Sequence, residues 1–297
     1  MARMPRFIIS HQQTTYHLIS RTALDGYPLG EKEKSLLLTT IQQLSAVYFC
    51  EVLGFCLMGN HFHLLVTMRP EDEVSDEEVK QSFQQRYGDE YTLMTGQIPF
   101  YRQKWTSLSE YVKEIKQGFT RAYNKKRGRK GTFWAERFKS VIVEKGETLI
   151  NCLAYIDLNP VRAGLVDRPE EYRWSSLGYR FRSSRKDEFL SWNLGLEEYN
   201  VKNPKEQLRL YREFVYARGG VDTGKGKILE AEPLLECMER FIQRTRFFTD
   251  AGIIGSREFV RQGFELFKDI IQPKRERKPH RIHGLEQIYS MKRLGVG

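Results

Sequence analysis

The strongest constraint on what this chain can fold into lies between residues 52 and 68. Two apolar runs, V-L-G-F-C-L and F-H-L-L-V-T-M, flank Met58, Gly59 and Asn60. Apolar runs separated by a Gly-Asn turn signal predict an antiparallel β-hairpin. The second strand carries two of the chain's six histidines, His61 and His63. Side chains alternate across a strand, so both imidazoles project from one face and Phe62 from the other.

The flanking segments extend the hairpin into a larger pattern. Residues 16–22, Y-H-L-I-S-R-T, alternate like a strand, and residues 31–49 carry Leu36, Leu37, Ile41, Leu44 and Val47 at helical spacing. Strand, helix, strand, strand is the first half of a ferredoxin-like arrangement. The acid-rich E-D-E-V-S-D-E-E at 71–78 opens a polar stretch without sustained periodicity, expected as an insertion over about 70–104 that begins as a solvated loop. Residues 107–126 then place Leu108, Tyr111, Val112, Ile115, Phe119 and Ala122 on one helical side, with Gly128 as the stop. A strand over 132–144 and a helix over 147–159, closed by Pro160, complete the pattern.

The expected fold class is therefore α+β: a ferredoxin-like (RRM-like) antiparallel sheet with helices on one face, occupying 1–180. A helical, basic C-terminal extension is expected over 181–297. Its helices are read at 205–217, 229–246 and 256–271, the first two separated by a glycine-rich segment, and a basic stretch follows from 274.

Forty-eight Lys and Arg against 38 Asp and Glu leave a formal charge of +10, which favours a polyanionic partner, nucleic acid foremost. The four cysteines show no C-x-x-C spacing and lie in apolar surroundings, so free buried thiols in a reducing compartment are expected. No apolar stretch reaches the length of a membrane span, and no signal-peptide core is visible. A cytoplasmic, nucleoid-associated bacterial protein without a membrane partner is the expectation.

A bare H-x-H fits two packed histidines better than a metal site. The helix L-I-N-C-L-A-Y-I-D-L-N-P changes the weighing. Tyr155 and Asn159 are four apart and share a face, while Leu149, Leu153 and Ile156 form the apolar stripe that would pack on the sheet. A phenol and an amide on one polar face are what a metal-assisted tyrosine nucleophile requires. Tyrosine has a pKa near 10, so attack on phosphorus at neutral pH needs a neighbouring cation or base. Asn159 would supply an oxygen ligand beside the two imidazoles.

L-M-G-N-H-F-H-L-L-V resembles the HUH motif of single-tyrosine transposases, with Phe62 as the hydrophobic residue, and Y-I-D-L-N-P-V-R-A-G resembles their tyrosine helix. G-R-K-G-T-F-W-A-E-R-F-K-S and P-E-E-Y-R-W-S-S are similar to stretches of the REP-associated tyrosine transposases. The resemblance covers residues 5–180. It implies a transposase or transposase-derived endonuclease that cleaves and rejoins hairpin-forming single-stranded DNA through a 5′-phosphotyrosine intermediate. It further implies Tyr155 as nucleophile and a Mg or Mn divalent cation held by His61, His63 and Asn159, in a monomer or homodimer. Where some relatives carry glutamine this chain has the shorter asparagine. Two other readings stay open: an HUH replication initiator or relaxase, and a non-catalytic RRM-like nucleic-acid-binding protein.

K-K-R-G-R-K at 125–130 supplies the DNA-contact candidates Lys125, Lys126, Arg127, Arg129 and Lys130, joined by Trp134, Arg137 and Lys139. The cations would hold phosphates, and the indole would stack an unpaired base. Arg257 and Arg261 are weaker phosphate candidates. His11, His17, His280 and His283 are expected at the surface.

Overall fold

In the computed structural model of the chain, the described residues are 6–183, 189–195, 201, 203–219, 247–271, 278–282, 285 and 287–292. The expected helix at 229–246, most of the glycine-rich segment and His283 lie outside them.

The expected hairpin is present: β2 (Cys50–Leu57) and β3 (His61–Met68) pair antiparallel, and the Met58 N–H donates to the His61 carbonyl at 2.9 Å across the turn. The first strand, β1 (Thr14–Arg21), pairs antiparallel with β3 on one side and with β4 (Lys139–Val143) on the other. The order β2-β3-β1-β4, with α1 (Glu31–Ser45) after β1 and three helices between β3 and β4, is the ferredoxin-like topology. The strand expected over 132–144 is ordered as β4 only in its second half. Before it, the chain runs along the end of β1, where the Ala135 N–H donates to the Arg21 carbonyl.

The segment expected as a polar insertion is helical. It forms α2 (Asp76–Tyr87) and α3 (Ile98–Trp105), and the acidic run that reads as a solvated loop is a single 3-10 turn followed by the start of α2. Ser75 and Glu78 close a reciprocal capping box there, and Asp76, Glu77 and Glu78 sit at the positive end of the helix dipole. The periodicity is weak because α2 buries only Val79 and Phe83.

The longest helix among the described residues, α4 (Leu108–Arg127), packs with α1 on one face of the sheet. Phe62 points into this layer, 5.4 Å from the Trp134 ring, which in turn packs on Phe119. The opposite face, which carries His61 and His63, is covered by a further helix, α5 (Glu147–Asp157). The two ferredoxin-type helices thus share one face as expected, and the tyrosine helix occupies the other. Leu149, Leu153 and Ile156 are buried as their spacing predicts. Leu153 lies so close to β2 that a Cβ on Gly54 would stand 2.5 Å from its Cδ2, so a larger residue at that bulged position would have to displace the Leu153 side chain. Asp157 locks the far side of α5: its carboxylate accepts from Ser176 Oγ, the Leu177 N–H and Tyr211 Oη at 2.8, 2.9 and 2.6 Å. These partners belong to α7 (Ser176–Arg182) and α8 (Pro204–Gly219), separated from α5 by the short α6 (Asn159–Arg162).

The C-terminal part is helical over α8, α9 (Arg257–Leu266) and α10 (Lys268–Ile271), and it also extends the sheet. β5 (Ile253–Gly255) adds in parallel to β4, and β7 (Tyr289–Ser290) and β6 (His280–Arg281) follow, making seven strands. Three-residue and two-residue strands leave no readable alternation, so the sequence predicts only the helices of this extension. No helix among the described residues is long and apolar enough to cross a membrane.

Candidate active site

Five separate segments meet on the α5 face of the sheet. A cavity of about 420 Å³ is lined by His61 and His63 from β3, Ile19 and Arg21 from β1, residues 135–137 and 139 before and at β4, Tyr155 and Asn159, and Thr249. The antiparallel register explains the grouping, since His61 faces Arg21 and His63 faces Ile19 across the β1–β3 pair. His61, His63, Tyr155 and Asn159 are therefore brought together, as are Arg137 and Lys139.

The two imidazoles pack edge to face with centroids 5.0 Å apart, and His63 meets the Tyr155 ring at 5.7 Å. Burial pushes His61 down to about 4, with the Arg21 cation adding to the effect. His63 is held well below the ordinary histidine value, first by burial and then by His17, His61 and Arg162. Both are neutral at physiological pH, the state in which imidazole ligates a metal.

Their tautomers follow from their partners. His17, expected at the surface, is fully buried because β1 lies between β3 and β4 and α5 and the 247–252 segment cover it. Its Nδ1 lies 2.8 Å from the Phe248 carbonyl, which can only accept, so the His17 proton sits on Nδ1. His17 Nε2 then accepts, and His63 Nδ1, 2.9 Å away, is the donor. The lone pair of His63 is thereby left on Nε2. His61 Nδ1 donates to Asn60 Oδ1 at 2.7 Å, which leaves its Nε2 lone pair in the same way. The Asn159 amide nitrogen donates to the carbonyls of Tyr155 and Ile156 at 3.0 and 3.2 Å, so its oxygen is the atom left for the cavity.

The donor set fits a divalent cation: two imidazole nitrogens and one amide oxygen, with room for phosphate oxygens. Among the described residues no three His, Cys, Asp or Glu side chains form a metal-holding group, and Asn159 is an oxygen donor that lines the cavity with the two histidines.

Tyr155 is almost fully buried and burial raises its pKa, an effect opposed by Arg162. The Arg162 guanidinium lies 4.3 Å from the Tyr155 ring centroid and donates to the Tyr155 carbonyl at 2.6 Å. Burial lowers Arg162 to about 10, still cationic at neutral pH. Phe248 stacks on the other side of the phenol at 5.0 Å. Arg162, His17 and Phe248 are neighbours of the candidate site that sequence reading missed. Arg162 stands seven residues after Tyr155 and carried a signal as a cation beside a proposed nucleophile; Phe248 carried none.

Two cations of the basic run already have partners within the chain. Arg127 pairs with Glu33 at 2.8 Å, and Arg129 donates to Asn124 Oδ1 and the Thr132 carbonyl. Lys125, Lys126 and Lys130 are exposed. Trp134 is not available to stack a base: it is buried against Phe62, Phe119 and Phe133, and its indole N–H donates to the Lys116 carbonyl. The apolar layer of α4 requires that ring. Arg261 pairs with Glu258 on α9.

Residues 10–98 match the family described as "Transposase IS200 like". The match spans under a third of the chain, includes both site histidines and stops short of Tyr155. A solved structure of a REP-associated tyrosine transposase bound to a REP hairpin is similar at 17% identity and a TM-score of 0.44, over 65% of this chain and 93% of that one. No curated protein matches the chain.

Proposed function

We propose that this protein is a metal-dependent transposase, or transposase-derived endonuclease, that cleaves and rejoins hairpin-forming single-stranded DNA through a 5′-phosphotyrosine intermediate. The observation that carries the reading is the convergence of His61, His63, Tyr155 and Asn159, drawn from a strand and two successive helices, on one cavity. The match of residues 10–98 to IS200-like transposases supports it independently.

His61 Nε2, His63 Nε2 and Asn159 Oδ1 would hold a Mg or Mn ion. Such an ion, when bound, supplies Lewis-acid activation of a phosphate oxygen. The chain's own residues do the rest. Tyr155 Oη attacks phosphorus, the bond to the 3′ oxygen breaks, and that oxygen leaves as a hydroxyl while the phosphate stays on the phenol. Burial opposes ionisation of Tyr155, and the Arg162 cation against its ring favours it. Phe248 and His63 keep the ring from turning away. The phosphodiester is conserved as a tyrosyl ester, so a second 3′-hydroxyl reverses the step without external energy. Strand transfer, not hydrolysis, is the outcome.

The test is incubation of the protein with hairpin-bearing single strands and Mn²⁺, followed by detection of covalent protein–DNA adducts. The wild type forms an adduct. Tyr155→Phe forms none and keeps DNA affinity, because one oxygen is removed from an intact cavity. An adduct that persists in Tyr155→Phe moves the nucleophile elsewhere.

A further inference from the structure

Beside the site cavity lies a second cleft of about 250 Å³ that the chemistry above does not use. Arg6 and Phe7 come to it from the N-terminal segment, residues 136–140 from the approach to β4, Thr249, Asp250 and Gly252 from the C-terminal part, and Lys292 from beyond β7. Glu136, Arg137, Lys139 and Thr249 line both cavities, so the two share a wall. Four cations, Arg6, Arg137, Lys139 and Lys292, face two carboxylates, Glu136 and Asp250, and Lys139 is bridged to Asp250 at 2.8 Å. Among the described residues no carboxylate lies within ion-pair distance of Arg6 or Arg137.

Arg6 is also fixed in place. Its guanidinium stacks 4.0 Å from the Phe138 ring centroid, an arrangement that orients a cation without neutralising it. Burial and the nearby Arg137 both lower its pKa, and Arg6 in turn helps push Lys116 down to about 8, after burial. Like charges are being held together at an energetic cost, and an anion between them reverses its sign.

We infer that this cleft binds a backbone phosphate of single-stranded DNA next to the phosphate that meets Tyr155, with Arg6, Arg137 and Lys292 as its contacts. The inference rests on the function proposed above and adds to it where the strand goes on leaving the site. A strand seated at the Tyr155 cavity has to pass one of its walls, and the wall formed by Arg137 and Lys139 opens onto a second set of cations. Arg6, Arg137 and Lys292 all lie outside residues 10–98, so the cleft belongs to the parts of this chain that the family match does not reach.

The test measures binding of the full chain to an unstructured oligothymidylate of 12 nucleotides across a salt series, without added metal. An Arg6→Ala/Lys292→Ala double variant is expected to bind roughly tenfold more weakly at moderate salt, with the log–log salt slope reduced by about 1.4, or about 0.7 per lost phosphate contact on single strands. The charge-keeping pair Arg6→Lys/Lys292→Arg should retain the wild-type slope, which separates lost phosphate contacts from a disturbed fold. Unchanged affinity and slope in the alanine double variant would overturn the inference, as would equal loss in the charge-keeping pair. Adduct formation with hairpin DNA is scored separately: its absence in the wild type sinks the transposase reading, whereas the salt slope continues to decide whether the cleft holds phosphate.

Discussion

The two faces of β3 are built from alternate residues of one eight-residue strand and obey different rules. Phe62, Leu64 and Val66 point into the layer of α1 and α4, where Trp134, Phe119 and Phe133 close around them and no water is needed. His61 and His63 point to α5, where Ile19 is joined by neighbours with polar handles: Tyr155, Asn159, Arg162 and His17. The first face supplies stability through apolar burial, and the second keeps lone pairs unprotonated and oriented. Residues 62 and 63 are adjacent in the chain and should differ sharply in what their loss does.

The largest effect should come from the apolar face. Phe62 is fully buried, and Phe62→Ala should cost about 3–5 kcal/mol, seen as a lower midpoint in denaturant unfolding at unchanged slope. If His63→Ala destabilised the fold as much, the contrast between the faces would collapse.

A pH series tests the buried imidazoles. His17 is buried and lowered to about 4, against an unfolded value near 6.5, so the unfolded chain binds more protons between those values. Its contribution is complete above about 6.5 and is lost as pH falls toward 4, amounting to up to about 3 kcal/mol. His17→Gln should flatten this part of the stability–pH curve. A variant curve parallel to that of the wild type would place the pH dependence in other groups.

The His17–His63 contact gives a smaller and more specific effect. His17→Leu removes the acceptor that holds the His63 proton on Nδ1, and Mn²⁺ affinity measured by titration calorimetry should fall about 10- to 100-fold. Gln can donate to the Phe248 carbonyl and accept from His63, so His17→Gln should recover most of that affinity. Nitrogen chemical shifts of His63 should report the Nδ1–H tautomer in wild type and Gln variant alike. Loss of affinity in Gln equal to that in Leu would make His17 a direct ligand or a packing residue.

The smallest effect is expected at the basic run. Lys125, Lys126 and Lys130 are exposed, whereas Arg127 and Arg129 already have partners. Changing the three lysines to alanine should lower the salt slope of single-strand binding by less than the drop of about 1.4 expected for the Arg6/Lys292 variant and leave adduct yield at saturating DNA unchanged. A larger drop than in the Arg6/Lys292 variant would shift the main DNA path to this loop.

Much of this was legible along the chain. The alternation around Met58-Gly59-Asn60 put His61 and His63 on one face, and the spacing of Leu149, Leu153 and Ile156 put Tyr155 on the remaining side of its helix. Both are local periodicities, and local periodicity is what a sequence records directly. The helices α2 and α3 were not legible, because they pack mostly on each other and need only a narrow apolar stripe. Trp134 read as a nucleic-acid contact because it neighbours a cation run, but ring burial depends on Phe62 and Phe119, which lie far away in sequence.

The sequence by itself determined the ferredoxin-like strand and helix order and the identity of a histidine pair, a tyrosine and an asparagine able to form a site. Only the tertiary structure decided which atoms of that site carry lone pairs and what surrounds the phenol. His17 and Phe248 stand 231 residues apart, yet one hydrogen bond between them sets the tautomer of His63. Arg6, Arg137 and Lys292 become one charged cleft only where an N-terminal segment, a strand edge and the last strands of the sheet converge. Proton position and electrostatic field depend on distances through space, and chain spacing encodes those distances only within a helix turn or a strand pair.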